Sequence, residues 1–329
     1  MQSSRLSLLF FTLLILALPG LTASAQQAGE AFPPASEISD VKTGSVLFFN
    51  YYTSDIANPA AGNTRLNLTS HSAAPVTIHL FLVDGTSGSP ADLFICLAGR
   101  QTISLFASDF DPGISGFAVA VAVSTNGCPV NFNFLSGSAW VRQASGHQGS
   151  LPAEAVAAIA ADPGNCAPGA TSTTLLFDGI NYNRLPYQLA VDKIRSPADG
   201  NNTLLIINRI GGSLASGISF IGSWSGLLFE ENGNQHAFIA TGNAQVRQTL
   251  NDNFPRTTPG FSALVPAGLT GWMKFGSDPA VALIGAVFNY NSGITSSPSA
   301  FTGGRNLRHF GLSGLASLTI PVRQSHCSS

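Results

Sequence analysis

The segment 181–187 carries side chains that suit a sugar ligand. It reads Asn-Tyr-Asn-Arg-Leu-Pro-Tyr and combines the aromatic faces of Tyr182 and Tyr187 with amides and the guanidinium of Arg184. Aromatic rings stack on the apolar side of a sugar ring, and amide or guanidinium groups hydrogen-bond its hydroxyls. Trp224 is a further aromatic candidate. We predict ligand binding by these four residues, against the more common role of such a segment as a structured loop that caps its domain.

A secreted hydrolase acting on polysaccharide or peptide is the competing hypothesis. Its candidate acids and base are Asp178, Asp192, Glu230 and His236, all in the C-terminal part of the chain. A glycosidase needs two carboxylates that face each other across the scissile bond, and these residues would have to meet in one cleft. The sequence has no HExxH pattern, P-loop, GxSxG elbow or Rossmann fingerprint. The segment GSWSG at 222–226 resembles the elbow but has a tryptophan in place of the nucleophilic serine. We therefore assign no catalytic residue and no cofactor.

Two further carboxylates, Asp109 and Asp111, stand two residues apart in the turn Asp-Phe-Asp-Pro-Gly. Calcium sites use such oxygens together with several more ligands. An Asx-turn before the next strand explains the same residues with fewer assumptions. No metal site is predicted.

All four cysteines, Cys96, Cys128, Cys166 and Cys327, follow an export signal. An even number of cysteines in an exported chain favours disulfides, and the absence of CxxC spacing argues against zinc. Three pairings are possible. We favour Cys96–Cys128 and Cys166–Cys327, because each bridge then lies within one of two proposed domains.

A repeated pattern organises the chain. Gly-Ile-Ser-Gly-Phe at 113–117 opens an alternating run of alanine and valine, and Gly-Leu-Thr-Gly-Trp at 268–272 opens a similar run. The composition is rich in glycine, proline and β-branched residues, which favours short strands joined by tight turns. We predict an all-β fold of two tandem β-sandwich domains joined by one short helix. Phe117 and Trp272 are expected to be equivalent core positions.

The predicted boundaries follow from composition and turn signals. Residues 1–25 resemble a signal peptide, with Arg5, an apolar stretch and an Ala-Ser-Ala cleavage site, and residues 26–43 form a flexible leader. Domain 1 spans 44–143, a helical linker spans 144–170 with its helix at 151–161, and domain 2 spans 171–329 with longer loops. Extra residues of domain 2 are expected within 223–258, and the strand at 173–177 is expected to match the first strand of domain 1.

The charge excludes some partners. The formal net charge is -2 and only 10% of residues are charged, so the chain has no cationic surface for nucleic acid. No stretch after the signal peptide is apolar enough for a membrane-spanning helix.

The strands Asn-Thr-Arg-Leu-Asn-Leu-Thr at 63–69 and Val-Thr-Ile-His-Leu-Phe-Leu-Val at 76–83, together with Pro-Ala-Gly-Leu-Thr-Gly-Trp at 266–272, resemble tandem modules of bacterial secreted proteins. Those modules are immunoglobulin-like or fibronectin-like β-sandwiches. Along most of its mature length the chain also resembles an uncharacterised family of secreted proteins from soil bacteria. The resemblance implies adhesion, matrix or scaffold roles and transfers no catalytic residue. We expect a secreted protein, extracellular or periplasmic, that binds glycan or cell-envelope components without catalysis, with a self-assembling structural subunit as a third alternative.

Overall fold

A computed structural model describes residues 38–293 and 301–327. Within these ranges the regular structure consists of strands and three single-turn helices, so the all-β prediction is confirmed. The predicted signal peptide and residues 26–37 of the leader lie outside the described residues. The helices are α1 (Ala107–Phe110), a 3-10 turn (Pro197–Asp199) and α2 (Phe261–Leu264).

The strands fall into two comparable series. The first half of the molecule contains β1 (Val46–Thr53), β2 (Asn63–Ser70), β3 (Val76–Asp84), β4 (Pro90–Leu97), β5 (Thr102–Phe106), β6 (Ser115–Val123), β7 (Leu135–Arg142), β8 (Gln148–Pro152) and β9 (Glu154–Val156). The remaining strands are β10 (Ser172–Phe177), β11 (Gln188–Arg195), β12 (Asn201–Ile210), β13 (Gly212–Ser213), β14 (Gly217–Ile218), β15 (Gly222–Phe229), β16 (Gln235–Gly242), β17 (Gln245–Thr249), β18 (Thr270–Gly276), β19 (Ala282–Asn291), β20 (Gly303–Asn306), β21 (Arg308–His309) and β22 (Ala316–Pro321).

The first half is built from sheet A, in the order β4-β3-β6-β1-β9, and sheet B, in the order β5-β2-β7-β8. The second half is built from sheet C, in the order β16-β15-β18-β11-β21, and sheet D, in the order β17-β12-β19-β20. Sheets A and C therefore share one strand order, in which β1 corresponds to β11, β3 to β15, β6 to β18 and β9 to β21. Sheets B and D likewise share one order. The helices α1 and α2 precede the corresponding strands β6 and β18. A fifth sheet, the cover sheet, has the order β10-β22-β13-β14 and has no counterpart among the first-half strands.

The same irregularity recurs in both halves. The pairing of β1 with β6 shifts register between Phe49 and Tyr52, and that of β11 with β18 shifts between Val191 and Ile194. A β-bulge of this kind bends its strand and turns the extra residue out of the ladder. The repeated glycine-aromatic motifs lead into β6 and β18, which are equivalent strands.

Sheet A is the middle layer of the first half. Along β1, Leu47 and Phe49 face sheet B, whereas Val46 and Phe48 face the cover sheet. Because side chains of a strand alternate between two faces and both faces are buried here, the strand is a nearly continuous apolar run, interrupted at Asn50. The same reason explains the runs of β3 and β6. The second sandwich has its own core between sheets C and D, and one face of sheet D, at Ile206 and Phe288, joins the core of the first half.

The helix predicted at 151–161 is wrong, because this segment forms β8, β9 and an extended continuation. Leu151, Ala153, Ala155 and Ala157 face one core, and Val156 and Ala158 face the other. Small side chains let the segment fit between packed layers. The helical prediction rested on the alanine content, on Pro152 in the first turn and on the stop at Asp162-Pro163-Gly164. Two residues of the predicted flexible leader are packed, since Ile38 is buried and Ser39 pairs with Ala155, whereas residues 40–42 are exposed.

The predicted match of 173–177 to the first strand is wrong as well. That segment is β10, which pairs with β22 in the cover sheet, and the counterpart of β1 is β11. The hairpin of β15 and β16 corresponds to that of β3 and β4. The segments that distinguish the second half are 211–221, which supplies β13 and β14, and 250–260, which precedes α2.

All four cysteines form disulfides, but the favoured pairing is wrong. The bridges are Cys96–Cys327 and Cys128–Cys166. The cover sheet brings residues of the predicted second domain onto sheet A. The chain that follows β22 then passes the turn at 124–128, where Ser325 N donates to Thr125 O (2.8 Å), and Cys327 reaches Cys96 in β4. The assumption that each bridge stays within one domain therefore fails.

Candidate ligand-binding surfaces

The aromatic residues chosen from the sequence do not form a common surface. Tyr182 is 0% exposed and packs on Phe177, with ring centroids 5.7 Å apart, in the core under the cover sheet. Trp224 is 2% exposed and packs on Phe238 and Phe275 inside the second sandwich. Neither ring has a free face for a ligand, so the predicted role of these two residues is corrected to core packing.

Arg184 and Tyr187 are accessible but hold a structured loop. Arg184 Nε donates to Asp178 O (3.2 Å), and Tyr187 N donates to Gly311 O (2.9 Å). The Asp178 carboxylate accepts from the backbone N–H groups of Ile180 and Asn181. Partial burial raises the pKa of Asp178, but these hydrogen bonds outweigh it and hold the pKa below its ordinary value.

Of the four residues of the hydrolase hypothesis, Glu230 and His236 contact each other, whereas Asp178 and Asp192 have other partners. Glu230 Oε1 lies 2.8 Å from His236 Nε2 at the tip of a hairpin, and that hydrogen bond lowers the pKa of the Glu230 carboxyl. Asp192 pairs with Arg305 (2.9 Å) and Arg308 (3.6 Å). A general acid in glycoside hydrolysis needs a raised pKa, so the lowered values at Asp178 and Glu230 disfavour that role.

The carboxylates of Asp109 and Asp111 also turn to different partners. Asp111 Oδ2 accepts from Tyr52 Oη (2.5 Å), and Asp109 Oδ1 accepts from Ser108 Oγ (3.4 Å). Burial raises the pKa of Asp111, whereas the Tyr52 hydrogen bond opposes the rise. Among the described residues, one group with metal-ligand spacing is Cys96, His326 and Cys327, but its sulfurs form a disulfide and offer no thiolate.

An apolar surface covers the outer side of sheet C. In β18, Met273 and Phe275 point into the core, so Trp272 and Lys274 point outward. Trp272 is 37% exposed and its ring stacks on that of Phe229, with centroids 3.9 Å apart and planes within 2°. We call this surface the open face, and it consists of Leu227, Phe229, Ile239, Trp272, Lys274 and Phe310.

The open face contains further groups that suit a ligand with both apolar and polar sides. Lys274 Nζ lies 5.3 Å from the centroid of the exposed Phe310 ring. Ser225 and Gln188 belong to the same row of the sheet as Ile239, because Ser225 pairs with Ile239 and Gly276, and Gln188 pairs with Gly276. The signal for this face in the sequence was Lys274, two residues after Trp272 and therefore on the same side of a strand.

A polar crevice separates the two halves at one end. It comprises two cavities of about 710 and 580 Å³ that share Arg247 and Gln248 of β17. The larger cavity is also lined by Tyr51, the turn at 143–147 and the segment 251–254, and the smaller one by the turns at 84–86 and 113–115. Sequence reasoning missed it because its walls come from distant segments without a common motif.

Comparison of the chain with protein-family models, with curated proteins and with solved structures found no match in any of the three. None of the helices in the part of the chain that the structure describes has the length and hydropathy needed to cross a bilayer.

Proposed function

We propose that this protein is a secreted, non-enzymatic bacterial protein that binds polysaccharide of a surface or matrix through its open face. The signal-peptide pattern supports export, and the two disulfides fit an oxidising compartment. The observation that carries the proposal is the exposed Trp272–Phe229 stack beside Lys274 and Phe310 on the outer side of sheet C. Contiguous exposed apolar surface of this kind marks interaction sites in proteins.

The choice of polysaccharide rests on the chemistry of the open face. Ring edges and faces of Trp272, Phe229 and Phe310 offer apolar area, and Ser225, Gln188 and Lys274 offer hydrogen bonds in the adjacent rows. A sugar polymer presents the same alternation of C–H faces and hydroxyls. A surface on the outer side of a sheet suits an extended polymer better than a small molecule, which binds in concave pockets.

An immunoglobulin-like identity of each half is part of this proposal. It is supported by the neighbour patterns β7-β2-β5 and β1-β6-β3-β4, which correspond to the A-B-E and G-F-C-C′ patterns of such sandwiches. The chain order differs, because β1 takes the place of the last strand, G, and β7 takes the place of A. The assignment therefore concerns the arrangement of strands in space rather than their order along the chain.

The test is a pull-down of the chain from Gln26 onward with isolated bacterial envelopes and with insoluble cellulose, xylan, mannan and chitin. We expect saturable binding to at least one of them and loss of that binding in a Trp272→Ala/Phe229→Ala variant. Trp140→Ala is the matched control, because Trp140 is an exposed tryptophan on sheet B, away from the open face. Thermal unfolding of each variant verifies that the fold is kept.

Binding to none of these materials, or equal loss in Trp140→Ala, would overturn the proposal. In that case the mass of the protein in solution, measured over a range of concentrations, would test whether the open face joins copies of the chain instead.

A further inference from the structure

The crevice between the halves is a preformed feature whose walls are fixed by hydrogen bonds. Gln245 N, next to the shared part of β17, donates to Gly85 O (3.0 Å) across the two halves. Asn208 Nδ2 donates to Asn50 O (2.8 Å), and Gln245 Nε2 donates to Asn208 Oδ1 (2.7 Å). On the other wall His147 Nε2 lies 3.0 Å from Asn202 O. A ligand that enters a fixed cavity loses little free energy to ordering of the protein.

Polar side chains in the crevice are free for a ligand. Arg247 makes one hydrogen bond, a long one from Nη1 to Tyr51 Oη (3.4 Å), and has no carboxylate partner within the described ranges. The side chains of Gln248, Asn202 and Asn253 make no hydrogen bond to any described residue. The crevice thus offers both donors and acceptors, in planar groups that match hydroxyl pairs.

The charges of the lining argue against an acidic ligand. Arg247 lies at the shared part of the two cavities, Asp55 lines the larger one and Asp84 lines the smaller one. Burial lowers the pKa of His147, which keeps its imidazole neutral near pH 7. One cation between two carboxylates gives no positive field that would attract phosphate or an acidic polymer.

The shape of the crevice argues for a chain-like ligand. Each cavity has the volume of a small-molecule site, and the two are joined side by side at Arg247 and Gln248. Phe254 adds a half-buried ring to the wall of the larger cavity, which is suited to stacking on a sugar. Apolar pockets for peptide side chains are few, because most of the lining consists of amides and hydroxyls.

We propose that the crevice between the two halves binds an uncharged, linear oligosaccharide that spans both cavities across Arg247. This site is separate from the open face, and its ligand is a soluble chain of several sugar units. Arg247 donates hydrogen bonds to hydroxyls of a central unit, and the flanking units occupy the two cavities.

Titration calorimetry of the full mature chain with cellohexaose, xylohexaose, mannohexaose and chitohexaose tests the proposal. We expect at least one hexaose to bind, and its affinity to fall about tenfold or more in Arg247→Ala, as for loss of a hydrogen-bonding charged group. Ala144→Trp, in an exposed turn that lines the larger cavity, is expected to block the same hexaose by filling space. The matched control is Arg65→Ala, an exposed arginine on β2 of the first half.

Binding of no hexaose up to ~5 mM, the millimolar limit of specific recognition, would overturn the proposal. So would hexaose binding that Arg247→Ala and Ala144→Trp leave unchanged, or tighter binding of hexagalacturonate or of a hexapeptide of alanine and serine. The Trp272→Ala/Phe229→Ala variant separates this site from the open face, because it should lose the pull-down on insoluble material and keep hexaose binding. Arg247→Ala should keep the pull-down on insoluble material and lose hexaose binding.

Discussion

Sheets A and C share a strand order and a β-bulge, yet their outer faces meet different surroundings. In sheet A the outer face is apolar and lies under the cover sheet, where Phe177, Leu318 and Ile320 pack on it. In sheet C the equivalent face is the open face. Phe117 corresponds to Trp272, because Phe117 pairs with Val83 of β3 and Trp272 pairs with Phe229 at the equivalent position of β15. Phe117 is 1% exposed, whereas Trp272 is 37% exposed.

The outer faces of sheets A and C also differ in residue type at equivalent positions. Val119 in β6 corresponds to Lys274 in β18, and His79 in β3, which is buried, corresponds to the exposed Ser225 in β15. A strand with one covered face alternates apolar and polar residues, whereas a strand between two layers does not. The periodicity of equivalent strands therefore reports how many layers pack on each sheet, even where their backbones match.

The two β-bulges show the same contrast in their polar groups. In β1 the bulge residue Asn50 donates to the buried Glu154 (3.0 Å), which also lies 2.7 Å from His309. In β11 the equivalent residue Asp192 pairs with Arg305 and Arg308 near solvent. The β-bulge of the first half thus holds a buried hydrogen-bond network between the halves, whereas the equivalent bulge of the second half holds ion pairs near the surface.

The largest expected effect compares Phe117 with Trp272. Phe117→Ala should lower the free energy of unfolding by about 3–5 kcal/mol, because it leaves a cavity under the cover sheet. Trp272→Ala should lower it by about 1 kcal/mol, since a surface substitution leaves no cavity. Urea unfolding followed by tryptophan fluorescence for Phe117→Ala, and by circular dichroism for both, measures the difference. Similar losses in the two variants would mean that the open face is covered in solution.

A second prediction concerns the bulges. Glu154 is 1% exposed and Arg308 is 72% exposed at equivalent positions of β9 and β21. Glu154→Gln puts an amide near Asn50 Nδ2 or His309 and should cost about 1–3 kcal/mol, because a buried polar group loses its partner. Arg308→Ala should cost under about 1 kcal/mol and lose its effect in salt, as exposed ion pairs do. Chemical denaturation at low and high salt tests both, and a large salt-independent loss for Arg308→Ala would contradict the comparison.

The smallest expected effect is a pH dependence from His79. Its ring packs on those of Phe81 and Phe94, with centroids 4.0 and 4.1 Å away, and its Nε2 lies 2.8 Å from Asp92 Oδ2. Burial lowers the pKa of His79, and the Asp92 hydrogen bond partly opposes this. At this residue the unfolded chain binds a proton more readily than the folded one, so the contribution of His79 to stability is present above pH 6.5 and is lost as the pH falls below it. His79→Ser, which installs the second-half residue, should reduce the change in melting temperature between pH 7.5 and pH 5.5. An unchanged pH profile in this variant would show that His79 does not carry the effect.

The sequence was sufficient for the class of fold but not for its layers. Alternation and turn signals located most first-half strands, and the glycine-aromatic motif located the equivalent β6 and β18. The cover sheet was missed because β10 and β22 lie far apart in the chain and each looks like an ordinary strand. The same omission produced the wrong disulfide pairing.

The site residues were harder to predict for a physical reason. Tyr182 and Trp224 stand among glycine, serine and asparagine, which suggests an exposed loop or edge, but burial is decided by packing of distant strands. Trp272 was expected to be core because Phe117 is its counterpart. The crevice depends on Arg247, the turn at 143–147 and the segment 251–254, whose proximity no local pattern records.

The bridge between Cys96 and Cys327 has a consequence for proteolysis. Its sequence separation of 231 residues makes most of the chain a covalent ring, within which the Cys128–Cys166 bridge forms a smaller one. A protease that cuts once at an exposed turn in that ring, such as Asn232-Gly233, leaves both fragments attached to each other. In the extracellular setting proposed above, the two fragments of a cleaved molecule would stay joined by the disulfide. They would separate on a denaturing gel only after the disulfide is reduced.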